Sequence, residues 1–147
     1  MEGRKMKYAL MVRNDDLSKK TALKIKESLQ NFFIYDEKNP DLVISIGGDG
    51  TILEAVHQYL NVDCCFVGIH TGTLGFYTDY QVDEVDQFIK DVASRQFKTM
   101  KRYMLEIKIN KKGSEFLRNL NYTNPNLRHS GHCFPYFIRL YGLSYQL

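Results

Sequence analysis

An open α/β sheet, mostly parallel and flanked by helices, is the fold class this chain predicts. Short apolar runs alternate with amphipathic stretches between residues 7 and 93, the rhythm of strands joined by helical crossovers. Two glycine-rich loops each follow such a run directly, as ligand loops do at the C-terminal ends of parallel strands. Beyond residue 100 the pattern changes to strict alternation.

Lys7–Val12 is mostly apolar and reads as the first strand. Asn14-Asp15-Asp16 forms a loop, and Ser18 is a plausible helix N-cap. Ala22, Ile25, Leu29 and Phe32 then recur at helical spacing, while Lys19, Lys20, Lys24, Lys26 and Glu27 occupy other faces. Phe32–Tyr35 is a short second strand, and Asn39-Pro40 breaks the chain before the Asp41–Ile46 strand. A helix from Ile52 to about Leu60, a Cys64–Ile69 strand and a loop over Gly68–Gly75 follow. The last helix spans Val82 to Ala93, with Val85, Phe88, Ile89 and Val92 on one face. Such units pair in parallel through right-handed crossovers.

Tyr103, Leu105, Ile107 and Ile109 alternate with Met104, Glu106, Lys108 and Asn110, the mark of a half-exposed antiparallel strand. Three segments are therefore expected: an α/β domain over 1–99, the start of a β-rich unit over 100–115, and an atypical tail over 116–147. All 13 lysines and all 17 acidic residues fall at or before Glu115. An apolar cap, a disordered terminus and a change of reading frame each fit that break. Its abruptness favours the last.

Composition narrows the function. With 147 residues and 44% hydrophobic content, the chain can form one sizeable core. No apolar run approaches the roughly 20 residues of a membrane span, and Met1–Lys5 carries no signal-peptide pattern, so cytoplasmic residence is expected. Cys64 and Cys65 should point to opposite faces of a strand, and with Cys133 they form no metal or disulfide spacing. The net charge of +3 comes entirely from Arg118, Arg128 and Arg139, so no basic field suggests nucleic acid.

The first glycine loop, Gly47-Gly48-Asp49-Gly50-Thr51, holds one carboxylate at a helix entrance. Glycines admit a bulky anion to backbone amides, and the helix dipole favours its charge. It is neither a Walker A loop nor a full dinucleotide fingerprint. Without a lysine, phosphate must be met by amides, the Thr51 hydroxyl and a divalent cation. Asp49 or Thr51 as a plain helix cap is the bland alternative, but a cap does not need three glycines in five residues. The second loop, Gly68-Ile69-His70-Thr71-Gly72-Thr73-Leu74-Gly75-Phe76-Tyr77, ends in two aromatics that fit either a base-stacking wall or the core. His70 alone reads as structural, and draws interest because the loops should converge.

Together, GGDGT at 47–51 and GIHTGTLGF at 68–76 resemble the bacterial NAD kinases. The likeness runs over about residues 6–110, including Arg102-Tyr103-Met104-Leu105-Glu106. GGDGT alone is shared with lipid kinases and, in related form, with phosphofructokinases. Lipid kinases carry an Asn-Glu in the following helix and a later Gly-Thr-Gly-Asn-Asp, which Ile52-Leu53-Glu54-Ala55 and the second loop do not match. The resemblance implies that Asp49 is the general base acting on the adenosine ribose 2′-hydroxyl of NAD, with ATP as phosphoryl donor and Mg2+ or another divalent cation. It implies NAD/ATP contacts from Gly47, Gly48, Asp49, Gly50, Thr51, His70, Gly72, Leu74, Phe76 and Tyr77, and a homo-oligomer for the full-length family. The family's later Asn-Glu, Gly-Asp-Gly and Thr-Pro-Thr-Gly-Ser-Thr-Ala-Tyr segments are absent, and Asn119-Leu120-Asn121-Tyr122 lacks the acid. An inactive nucleotide-binding fragment and a lipid kinase relative are the rival readings.

Overall fold

A computed structural model describes residues 3–73, 75 and 77–99. The alternating strand expected at 103–110 and the tail at 116–147 lie outside the described residues. The elements run β1 (Lys7–Val12), α1 (Asp16–Leu29), β2 (Ile34–Tyr35), β3 (Leu42–Gly47), α2 (Asp49–Gln58), β4 (Cys65–His70), β5 (Tyr80–Gln81) and α3 (Val85–Ala93). All strand pairs are parallel, in the order β2-β1-β3-β4-β5. The sheet is open and doubly wound.

Two cores explain why these residues make these elements. On one face, Tyr8, Leu42, Ile44, Ile46 and Ile69 meet Ala22, Ile25 and Leu29 of α1 and Val85, Phe88 and Val92 of α3. On the other, Ala9, Val43 and Cys64 meet Ala55 and Tyr59, beside a patch of Ile52 and Val56 from α2. Residues two apart on β3 thus share a face, the period of a strand buried on both sides. Each fully buried Ile or Phe contributes roughly 1.5–3 kcal/mol over leaving it in water. Cys64 and Cys65 do fall on opposite faces, the first in the smaller core and the second against the larger.

Several boundaries differ from the sequence reading. Asp15, not Ser18, caps α1: its Oδ1 accepts from Ser18 N–H at 2.9 Å. Both types cap well, and Asp15 stands at the right offset to reach the third amide of the helix. The helix stops at Leu29, which leaves Phe32 on the surface at 55% exposure while Phe33 takes the buried place at 6%. α2 begins at Asp49 rather than Ile52, so the carboxylate sits on the helix and not in the turn before it. Residues Val82–Glu84 form a 3-10 turn ahead of α3, and the two-residue β5 was not foreseen. The short return from β2 to β3 is held by Asp36 Oδ1, which accepts from the amides of Lys38 and Asn39.

Candidate functional site

The chain steps from β1 outward to β2, then crosses back to β3 on the other side of β1. α1 leaves β1 toward the larger core and α2 leaves β3 toward the smaller one. Such a reversal opens a crevice beyond the carboxyl ends of the two strands, and both helix N-termini face it. Arg13 follows β1 directly; Gly47–Asp49 end β3 and start α2. His70 ends β4, in register with Gly47.

The glycines of the first loop do different work. A methyl group on Gly47 would collide with Thr51 Oγ1 and come within 2.9 Å of Arg13 Cβ, so the turn closes only around a hydrogen there. A methyl on Gly50 would meet nothing within 4 Å. Its face is open. Thr51 is buried, and its hydroxyl accepts from the Gly48 amide at 3.4 Å, the return half of a capping box. Thr51 therefore shapes the turn, in line with the bland alternative. Asp49 does not cap its own helix, because Gly48 holds the N-cap position.

Asp49 instead reaches across. Its Oδ1 accepts from the Tyr77 backbone amide at 2.9 Å, tying the entrance of α2 to the end of the second loop. The two loops converge, as the sequence reading required. Thr71 makes the second link: its amide donates to Gly47 O at 2.8 Å. The Tyr77 side chain packs on Ile52 and Val56, so its ring lies against the smaller core. Leu74 and Phe76 lie outside the described residues.

His70 is buried at 9% exposure, and neither ring nitrogen has a hydrogen-bond partner among the described residues. Its ring lies against the second loop: a methyl on Gly75 would stand 2.9 Å from Nδ1, and one on Gly72 3.4 Å from Cε1. Buried polar nitrogens are rarely left without partners, so this is a marked position.

Arg13 was missed by the sequence reading. Its Nε pairs with Asp15 Oδ2 at 2.6 Å and its Nη2 donates to Thr71 Oγ1 at 3.3 Å. Thr71 Oγ1 also shares a hydrogen bond with Ser18 Oγ at 2.7 Å. The Arg13 guanidinium, with the Ser18 amide and hydroxyl beside it, pulls the Asp15 carboxyl down to about 2. The signal was a basic residue straight after the first strand in a fold whose glycine loop has no lysine.

Among the described residues no group of three or more His, Cys, Asp or Glu side chains is placed to hold a metal. No helix among them is long and apolar enough to cross a membrane.

The sequence profile of the ATP-NAD kinase N-terminal domain fits residues 4–97. NAD kinase 1 of Oceanobacillus iheyensis is 43% identical over 110 residues, which are 73% of this chain and 41% of that protein. The NAD kinase of Lysinibacillus sphaericus is 41% identical over 107 residues, 71% of this chain and 40% of that protein. A solved NAD kinase from Archaeoglobus fulgidus, in complex with ATP, aligns with a TM-score of 0.45 and 24% identity, covering 61% of this chain and 38% of that one. The chain thus spans about 40% of the length of the curated relatives it matches. With glycine loops that meet through Asp49 and a profile match over most of its described residues, the chain belongs to the NAD kinase family of phosphotransferases.

Proposed function

We propose that this chain is the nucleotide-binding lobe of a kinase that converts ATP and NAD to ADP and NADP. The observation that carries the reading is the bond from the Tyr77 amide to Asp49, which fixes a carboxylate between two glycine loops at the sheet's switch point. In the reaction, Asp49 takes the proton of the adenosine ribose 2′-hydroxyl as that oxygen bonds to the γ-phosphorus. The bond from that phosphorus to the bridging oxygen breaks, and ADP leaves with the electron pair. Position and proton acceptance come from Asp49; charge neutralisation comes from amides and a cation. The open face of Gly50 serves the phosphates, while Gly47, the Gly48 amide and Thr51 set the turn.

A magnesium ion is commonly held by one or two carboxylates together with substrate phosphates. A cation arriving on the triphosphate would draw its ligands chiefly from the phosphate oxygens and would neutralise charge there, leaving Asp49 to accept the proton. The resemblance assigns Phe76 and Tyr77 to the adenine side of the NAD pocket, with His70, Gly72 and Leu74 among the contacts to NAD or ATP. The complete enzyme works in the cytoplasm as a homo-oligomer. The rival reading, binding without turnover by this chain alone, draws on its 41% coverage of the O. iheyensis enzyme.

One assay separates the two. The purified chain, and residues 1–99 fused to the remaining lobe of the O. iheyensis enzyme, are supplied with ATP, MgCl2 and NAD, and NADP is measured. NADP formed by the fusion and lost in its Asp49→Asn variant is the expected result. A fusion whose turnover survives Asp49→Asn contradicts the role of Asp49. NADP made by the unfused chain contradicts the rival.

A further inference from the structure

We infer that Arg13 is the phosphate-binding cation of this lobe, the side chain that stands in for the lysine its glycine loop lacks; this rests on the nucleotide reading above. Three observations place it. The guanidinium is fixed on two sides, by Asp15 at Nε and Thr71 at Nη2, so its fork is held before any ligand arrives. Its remaining nitrogen, Nη1, points toward both glycine loops: it lies 3.5 Å from where a Gly48 methyl would stand and 3.9 Å from where a Gly72 methyl would stand. The two glycines therefore face the guanidinium across about the width of a methyl group, at the exposed mouth of the loops.

The third observation is independent of Arg13. The Gly72 methyl position is also 3.8 Å from His70 Nε2, and the imidazole is nine-tenths buried with neither nitrogen satisfied among the described residues. The Arg13 guanidinium, an unsatisfied imidazole and two side-chain-free glycines thus lie beside one another near the N-terminus of α2. Phosphate oxygens suit that set. Guanidinium groups bind them through charge-assisted bonds, helix-end amides add donors, and His70 contributes a hydrogen bond from Nε2 when that nitrogen carries the proton. Asp15 engages the guanidinium at Nε, which leaves Nη1 as a hydrogen-bond donor. The Asp15–Arg13–Thr71–Ser18 chain is then a positioning network, built from the N-cap of α1 to aim a cation across the mouth of β3.

The test is calorimetric titration of the full chain with ATP and, separately, adenosine, both with MgCl2, for wild type, Arg13→Gln and Arg13→Lys. The thermal midpoint of each protein is measured alongside. Wild type is expected to prefer ATP. Arg13→Gln should weaken ATP about tenfold and leave adenosine within about twofold, since a charge-assisted bond is lost only where phosphate is present. Arg13→Lys should lose less, keeping the charge without the fork, and it serves as the informative variant if Arg13→Gln unfolds. Undiminished ATP affinity in Arg13→Gln, or equal losses for ATP and adenosine, overturns the assignment of Arg13 alone. A wild-type chain with no preference for ATP over adenosine removes the nucleotide reading, and Arg13's role with it.

Discussion

The two ends of the sheet carry similar polar residues and use them in opposite ways. Around the N-terminal ends of β1 and β3, Arg4 pairs with Asp41 at 2.8 Å and Lys7 with Asp36 at 2.6 Å, while the second oxygen of Asp41 accepts from the Lys7 amide at 2.8 Å. Those charges close on one another. At the C-terminal ends, Arg13 has a nitrogen facing two glycines, His70 has none of its ring nitrogens satisfied among the described residues, and Gly50 presents bare backbone. A fold spends buried polar groups on itself unless something else is to meet them. The contrast supports the proposal that a ligand binds at the C-terminal ends.

Breaking the open end should cost function first. In the fused enzyme described above, Asp49→Asn should lower turnover by roughly two to four orders of magnitude, the range of a positioned proton acceptor, with modest loss of NAD binding. Steady-state kinetics with ATP and NAD varied in turn would show it. Next in size is Gly47→Ala, whose methyl has no room beside Thr51 and Arg13. A destabilisation of about 1–3 kcal/mol is expected by urea unfolding, the cost of overpacking.

Gly50→Ala sharpens the comparison because stability and binding should part. The site is exposed, in the first turn of α2, and has space for a methyl, so alanine should raise stability by up to about 1 kcal/mol through helix propensity. ATP affinity should fall nevertheless, since the methyl occupies the open face. Titration and thermal melting on the same sample check both signs. At the closed end, Arg4→Ala should change stability by less than about 0.5 kcal/mol, because the pair is exposed.

Acid should treat the ends alike. Asp15 and Asp36 are each held down to about 2, the first by Arg13 and the second by Lys7 with the Asn39 and Lys38 amides. A depressed carboxylate stabilises fully above its unfolded value of about 3.9 and loses that contribution as pH falls through the folded value. Both contributions should therefore fade between about pH 4 and pH 2. Melts over that range should flatten in slope by similar amounts in Asp15→Asn and Asp36→Asn.

The architecture was legible because its core strands and helices are long enough to show their periods. Leu42, Ile44 and Ile46 alternate with Val43, and Ala22, Ile25 and Leu29 return every three or four residues. What escaped was decided by contacts beyond the local window. β5 has two residues and exists through pairing with Ile69 and His70. Asp15 caps α1 by its offset from Ser18, whose hydroxyl meets Thr71, far along the chain. The pairing of the two glycine loops could be expected from their positions after strands, but not its agent, an Asp49 carboxylate on a Tyr77 amide. Arg13 carried only the weak signal of a basic residue straight after a strand, which looks like solvent-facing charge until Thr71, Gly48 and Gly72 are seen around it.

The central claim is that the open end of the sheet, and not the closed one, receives a nucleotide phosphate. Amide NMR of the full chain during titration with ATP and MgCl2 tests it most directly. The account predicts shifts at Gly48, Gly50, Thr71 and Gly72, with Lys7, Asp41 and Cys65 unmoved. Shifts confined to the second group, or none in either at saturating ATP, would contradict it.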